Sequence, residues 1–245
     1  MKIADLRPVI NRTWPPARTS RIGAFIVAPN DPGGNRVSAA QLAGDHEEDF
    51  GAEDIDAAEA AMQAQGRAPL FSVLDTQTAL DAALQARGYI TRDHTVAMVI
   101  KCAALAATPP PVTAFEIWPP LAIQTELWDA CGIDAARRRI MDRADCKKTS
   151  LFGRITDRPA GAAYIGILHD NAMLHALEVA PITRRKGLAA HMMRLAAKWA
   201  ADNGAEWLSI LVTRQNTAAL ELYTSLGMKP VGTYHYQEKE GGTAQ

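Results

Sequence analysis

Residues 174–199 read LHALEVAPITRRKGLAAHMMRLAAKW, and two periodicities meet inside them. Leu174, Ala176, Leu177 and Val179 are apolar and strand-like, and Pro181, which has no N–H to donate, closes the ladder. From Gly187 onward, Leu188, Met192, Leu195, Ala196 and Trp199 recur at helical spacing. Between the two lies Arg184-Arg185-Lys186-Gly187-Leu188-Ala189, three cations and a glycine where a helix begins. Cations in a first turn oppose the helix macrodipole, so folding stability does not account for them. A bound anion does. First-turn N–H groups point outward with partial positive charge and form a ready phosphate site. Gly187 lets the backbone approach a ligand with no Cβ in the way, and small Ala189 keeps the next turn open. Standing alone, such a turn is a solvated basic loop; after a strand and Pro181, the anion site is the better reading.

A second pattern follows downstream: Leu208-x-Ile210-x-Val212, then Asn216-x-x-Ala219-x-x-Leu222-Tyr223-x-x-Leu226-Gly227-Met228. Val179, Pro181, Arg184, Gly187 and Ala189 resemble the acyl-CoA signature of the GNAT N-acetyltransferase superfamily, V-x-P-x-x-[RQ]-x-x-G-x-[GA]. The downstream pattern resembles that superfamily's second signature. Two signatures in this order, with one helix and one strand between them, are specific. The resemblance spans residues 112–237 and implies an α/β (α+β) fold with a mixed central sheet flanked by helices.

Composition sets bounds on the rest. The chain has 245 residues, 48% hydrophobic and 22% charged, which suits one large globular domain or two small ones. A formal net charge of -1 gives no field that would steer it to nucleic acid or an anionic membrane. Residues 1–5 open no long apolar run, so neither a signal peptide nor a membrane span is expected, and the expected location is cytoplasmic. Cys102, Cys131 and Cys146 are odd in number and scattered, and read as reduced thiols. The six histidines have no metal-like spacing, so no metal is expected.

In the first half, residues 1–19 resist assignment, and Trp14-Pro15-Pro16 rules out a continuing helix. Strands are expected at 23–28 and 36–42, forming a hairpin across Pro29-Asn30-Asp31-Pro32-Gly33-Gly34. A helix at 56–65 stops at Gly66, and a strand follows at 70–74. A helix at 78–87 stops at Gly88, and one long strand covers 89–103. This order repeats the end of the second half. Setting Gly88 against Gly227 puts Leu84 at the place of Tyr223 and Gln77 at the place of Asn216. Asp45, Glu47, Glu48, Asp49, Glu53, Asp54 and Asp56 crowd the approach to the first helix, where they favour folding and would repel a pyrophosphate. Residues 1–108 thus resemble a degenerate GNAT-like domain without a cofactor site, in tandem with a catalytic domain at 109–245. Asn35-Arg36-Val37-Ser38 resembles the first halves of such tandem proteins. The proline-ended joint at 103–111 is the expected boundary.

The second half reads β-α-α-β-β-β-α-β-α-β: strands at 112–118, 150–155, 160–168, 172–179, 206–212 and 228–237, and helices at 121–131, 134–143, 187–199 and 217–226. One strand follows the last helix, where GNAT domains have two, so a sheet edge stands open. Residues 89–103 exceed a typical strand of about 5–6 residues. Val96, Met98 and Ile100 alternate with Ala97, Val99 and Lys101, which makes both faces largely apolar and suits a strand inside a sheet. We expect residues 95–103 to pair with or cover that open edge.

The resemblance implies a site. Acetyl-CoA is the cosubstrate, its pyrophosphate on the amides of Arg185, Lys186, Gly187, Leu188 and Ala189 beside Arg184. Its pantetheine arm lies along Leu177 and Val179, and Asn216 and Tyr223 close over the thioester, with Tyr223 as general acid. Tyr223 could instead pack a helix against the sheet, as aromatics often do, but inside the full Asn216-to-Gly227 pattern the catalytic role is favoured. His175 lies two residues before Leu177, so regular alternation puts it on the same face. Its unperturbed pKa of roughly 6.5 suits a base that takes the amine's proton. Residues 174–177 also resemble the corresponding strand of serotonin N-acetyltransferase, with Met173 in place of the first of that enzyme's two histidines. A half-buried structural histidine is an equal alternative. The same alternation turns Glu178 to the opposite face, as a structural residue. Arg137-Arg138-Arg139 reads as a solvated helix face, and Tyr234 and Tyr236 share one face, either core or pocket wall.

The acceptor implied is a primary amine on a small molecule or a peptide N-terminus; the sequence does not identify it or the oligomeric state. The alternative is a non-catalytic CoA-binding or regulatory module, which would keep residues 184–189 and need no proton donor, so Tyr223 speaks against it. A dinucleotide-binding domain would need G-x-G-x-x-G after a first strand, which the sequence lacks.

Overall fold

The computed structural model of this chain describes residues 1–44 and 50–239. The acids and the histidine at 45–49 lie outside the described residues.

The second half folds in the expected order: β6 (Ala114–Ile117), α6 (Ala122–Ala130), α7 (Ala135–Arg143), β7 (Lys147–Ile155), β8 (Arg158–Leu168), β9 (Asn171–Val179), α8 (Leu188–Asp202), β10 (Trp207–Thr213), α9 (Thr217–Ser225) and β11 (Lys229–Lys239). The first half supplies α1 (Ile3–Thr13), β1 (Ser20–Ile22), β2 (Phe25–Val27), α2 (Asn35–Ser38), β3 (Ala40–Leu42), α3 (Ala52–Gln63), β4 (Leu70–Leu74), α4 (Thr78–Ala86), β5 (Tyr89–Lys101) and the single turn α5 (Cys102–Leu105).

Several elements of the first half differ from the sequence reading: β1 is absent from it, and the strand expected at 89–103 ends at 101, giving way to α5. Residues 3–13 form a full helix despite Pro8, burying Ile3, Leu6, Val9, Ile10 and Thr13 on one face. Residues 35–38 turn once as α2 before β3, so the strand expected at 36–42 shortens to 40–42. The hairpin partner is as expected, with Phe25 opposite Leu42.

The strands of the described residues join one mixed sheet of 11, ordered β1-β2-β3-β4-β11-β5-β10-β9-β8-β7-β6. Among them only β3–β4 and β9–β10 run parallel. Each of these pairs is bridged by a helix, α3 in one half and α8 in the other, so the two halves repeat one plan. Their last strands are exchanged. β5 lies between β10 and β11, and β11 lies between β4 and β5. Thr95–Lys101 of β5 pairs with Thr213–Trp207 of β10, as the apolar alternation and the open edge led us to expect.

Both faces of β5 are used. Met98 and Ile100 pack into the core that α8 covers with Leu188, Met192, Leu195, Ala196 and Trp199. Ala97 and Val99 pack into a second core under α1, with Ile3, Leu6, Val9, Tyr234 and Tyr236. A third cluster on the α1 side joins Trp14 and Val37 of the first half to Trp128, Ile140 and Tyr164 of the second. Burying a Val, Ile or Met contributes roughly 1.5–3 kcal/mol. A central strand carrying three such side chains, Met98, Val99 and Ile100, therefore matters to both halves.

Candidate active site

The site forms where a parallel pair comes apart. β9 and β10 are in register from Asn171 opposite Trp207 to Leu174 opposite Ile210, and the pairing ends there. On its other edge β9 stays bonded to β8 as far as Val179. The backbone of residues 177–179 therefore presents an edge that β10 does not occupy.

At the parting point β9 bulges. His175 stands opposite Tyr164 and Glu178 opposite Ala162, so Ala176 and Leu177 oppose the single Ala163. Ala176 absorbs the extra residue at φ +50, and the indole Nε1 of Trp128 donates to its carbonyl at 2.9 Å. A bulge reverses the facing of everything beyond it. His175 and Glu178 consequently share one face of the sheet, while Leu177 and Val179 pack toward α8 on the other. The reading that put His175 on the face of Leu177, and Glu178 opposite, assumed unbroken alternation. The bulge corrects the first: Glu178 does lie opposite Leu177, but His175 lies there with it.

After β9, Pro181–Thr183 makes a 3-10 turn and Arg184 folds back, its Nε donating to the Val179 carbonyl at 3.0 Å. Arg185 takes φ +64 and Gly187 φ +82, and α8 starts at the next residue. A Cβ at Gly187 would point into open space, with nothing within 4 Å. Helix geometry leaves the first amides of α8 without intrahelical acceptors, and they face this space beside Arg184 and Arg185. This cradle of amides and guanidiniums fits the pyrophosphate of acetyl-CoA, and the free edge at 177–179 fits an amide-bearing arm.

The opposite wall is α9. Asn216 caps it, Oδ1 accepting from Ala219 N at 3.2 Å, and Tyr223 is its one buried residue among those described. The cleft between these walls has a volume of about 580 Å³. It gathers nine of the residues singled out from the sequence: Leu177, Val179, Arg184, Arg185, Gly187, Leu188, Ala189, Asn216 and Tyr223. Lys186 and His175 are not among its lining residues, and Glu178 is.

The electrostatics divide these groups. Burial, and then the charge of Glu178, push the Tyr223 phenol up to about 12, so it holds its proton at neutral pH. Burial also raises Glu178 above the usual carboxylate range, with Arg184 and a hydrogen bond from the Cys131 thiol pulling it part of the way back. Arg184 approaches that carboxylate at 4.0 Å.

His175 is engaged elsewhere. Its Nε2 lies 2.8 Å from Thr13 Oγ1 and its Nδ1 3.3 Å from an Arg36 nitrogen. Burial, with the Arg36 charge behind it, holds its pKa well below the ordinary histidine value. Tyr234 and Tyr236 are core, 3% and 5% exposed and edge-to-face at 5.6 Å. Arg137 donates to the Gly132 carbonyl and Arg138 pairs with Asp129, so both are spent within their own helix pair. Among the described residues no group of His, Cys, Asp or Glu could hold a metal ion, and no helix is long and apolar enough to cross a membrane.

The corresponding places in the first half carry structural roles. Gln77 precedes α4 with its Oε1 accepting from Leu74 N at 2.9 Å, and Leu84 is fully buried. Asp54 accepts from Ala24 N at 3.0 Å and Gly51 N at 2.8 Å at the start of α3.

Residues 114–228 match the acetyltransferase (GNAT) family. With the splayed strands and the helix N-terminus, this shows that the chain carries an acetyltransferase domain of the GNAT family at residues 114–228. The chain is 25% identical over 244 residues to the uncharacterized N-acetyltransferase YobR of Bacillus subtilis (strain 168), covering 93% of this chain and 94% of that one. A GCN5-related N-acetyltransferase from Kribbella flavida has the same fold over 98% of this chain and 96% of its own, with a TM-score of 0.75 at 17% identity. A tandem GNAT protein from the clavulanic acid biosynthesis pathway is similar over 90% of this chain and 79% of its own, with a TM-score of 0.62 at 12% identity.

Proposed function

We propose that this chain moves the acetyl group of acetyl-CoA to a primary amine, of a small molecule or a peptide N-terminus, in the cleft between β9 and β10. The observation that carries this reading is the meeting, in one cleft, of an anion cradle at residues 184–189, an unpaired strand edge at 177–179, and Glu178 with Tyr223. Acetyl-CoA, when bound, supplies the activated thioester. Arg184, Arg185 and the amides of residues 187–189 hold its phosphates, Leu177 and Val179 pair with its arm, and Asn216 stands at the end of α9 near the thioester.

In this reading Glu178 takes the place first given to His175. Its raised pKa makes the carboxylate a stronger base than an exposed glutamate, and it opens on the cleft. His175 has both ring nitrogens occupied and no access to the cleft lining. Tyr223 keeps a proton to give to the departing thiolate. The proton thus enters at a carboxylate and leaves from a phenol. Residues 109–245 carry this chemistry, and residues 1–108 form the GNAT-like half without a cofactor site. We place the protein in the cytoplasm, with no metal and no nucleic-acid partner in its reaction.

Two variants test the roles. Tyr223→Phe removes a proton and almost no packing surface, so turnover falls by about 10²–10⁴-fold while acetyl-CoA affinity holds. Near-normal turnover would make Tyr223 a packing residue. Glu178 must be ionised to act, so the rate rises with pH as its carboxyl loses its proton. Because burial raises that pKa, the acid limb of the kcat/KM profile lies above the range of an ordinary glutamate. Glu178→Gln removes the limb and most of the rate; a profile of unchanged shape and height would exclude Glu178 as the base.

A further inference from the structure

The bulge that turns Glu178 into the cleft is strained, since a left-handed conformation costs a non-glycine residue such as Ala176 roughly 1–2 kcal/mol. Something must hold it. On one side Trp128 grips the Ala176 carbonyl. On the other, the neighbouring His175 is fixed at both nitrogens, and the order of donors can be read off. Thr13 Oγ1 gives its proton to the Val9 carbonyl at 2.7 Å, so toward His175 it can only accept. Nε2 therefore carries the imidazole proton and donates to Thr13. Nδ1 is left bare and accepts from Arg36, whose N–H groups can only donate. The Trp14 ring lies 5.0 Å from the imidazole, and Arg36 sits 5.8 Å over that same indole. Thr13, Trp14 and Arg36 all come from the first half, outside the matched residues 114–228.

We propose that Thr13 and Arg36 are positioning residues for acetyl transfer: the first half clamps His175, and through the bulge at Ala176 keeps Glu178 aimed into the cleft. This rests on Glu178 being the base. It also gives a half that has lost its own cofactor site a task in its neighbour's reaction. A purely structural contact between the halves would tie Thr13 to stability alone, whereas a positioning role ties it to the rate through Glu178.

Thr13→Val keeps the volume and removes the acceptor. We expect kcat to fall on the order of 10²-fold, the scale of a roughly 1 Å misplacement, with KM for acetyl-CoA unchanged. Thr13→Ser, which keeps the oxygen, restores most of the loss, and Arg36→Lys retains more activity than Arg36→Met. In a Glu178→Gln background Thr13→Val lowers kcat no further, because residues acting through one group are not additive. Wild-type kcat in Thr13→Val, or an equal loss in both backgrounds, would overturn the clamp alone. Should Thr13→Val fail to fold, the Arg36→Lys and Arg36→Met pair, with and without Glu178→Gln, decides by the same criterion. A wild-type chain with no amine-dependent turnover would overturn the functional reading and the clamp together.

Discussion

Gly187→Glu abolishes acetyl-CoA binding and leaves the fold intact. The position is the left-handed residue before α8, and a Cβ there meets no atom within 4 Å, so the chain has room for a side chain. Two effects separate cleanly. Any non-glycine residue at φ +82 pays a backbone cost of roughly 1–2 kcal/mol, which Gly187→Ala measures alone. The glutamate adds a negative charge aimed at the phosphates. At about 4 Å and an effective dielectric near 20, that repulsion is about 4 kcal/mol, close to a thousandfold in affinity. Calorimetry should therefore find Gly187→Ala weakened modestly and Gly187→Glu without measurable binding, with thermal unfolding of the two alike. Unchanged affinity in Gly187→Glu would move the phosphate site away from α8.

A fragment of residues 110–245, expressed alone, fails to fold as a soluble cooperative unit. It loses β5 from between β10 and β11, which bares two strand edges and the partners of Ala97, Met98, Val99 and Ile100. Unpaired, apolar edges are templates for aggregation. Four side chains of this kind, at roughly 1.5–3 kcal/mol for each of the larger three, compare with a whole domain's stability of about 5–15 kcal/mol. It also loses Thr13 and Arg36, so even refolded material should turn over slowly. A soluble, cooperatively folding and fully active fragment would show that the exchanged strands are dispensable.

Much of this architecture was legible in the residues, for identifiable reasons. The strand-to-helix change across residues 179–188 is sharp because Pro181 and Gly187 mark it, and Val179, Arg184, Arg185, Gly187 and Leu188 indeed line the cleft. The placement of β5 followed from a count of strands and from a segment apolar on both faces. Less was visible where local pattern and tertiary demand disagree. Residues 1–19 resisted assignment, yet 3–13 form a helix that the burial of Ile3, Leu6, Val9 and Ile10 supports. The short α2 had no periodicity to show. The bulge at Ala176 had no marker at all: alanine does not advertise a left-handed conformation, as glycine would. That single residue decided which of His175 and Glu178 opens on the cleft, and with it the proposed base. Glu178 could have been noticed only as an acid beside the anion cradle, which folding stability gives no reason to place there.

The most direct measurement is the release of free thiol from acetyl-CoA by the full chain against a panel of primary amines, including peptide N-termini. Release should rise saturably with at least one amine, that amine should gain one acetyl group, and both should collapse in Glu178→Gln and Tyr223→Phe. Acetyl-CoA bound at one site per chain with no amine raising thiol release, or release indifferent to both substitutions, would contradict acetyl transfer in this cleft.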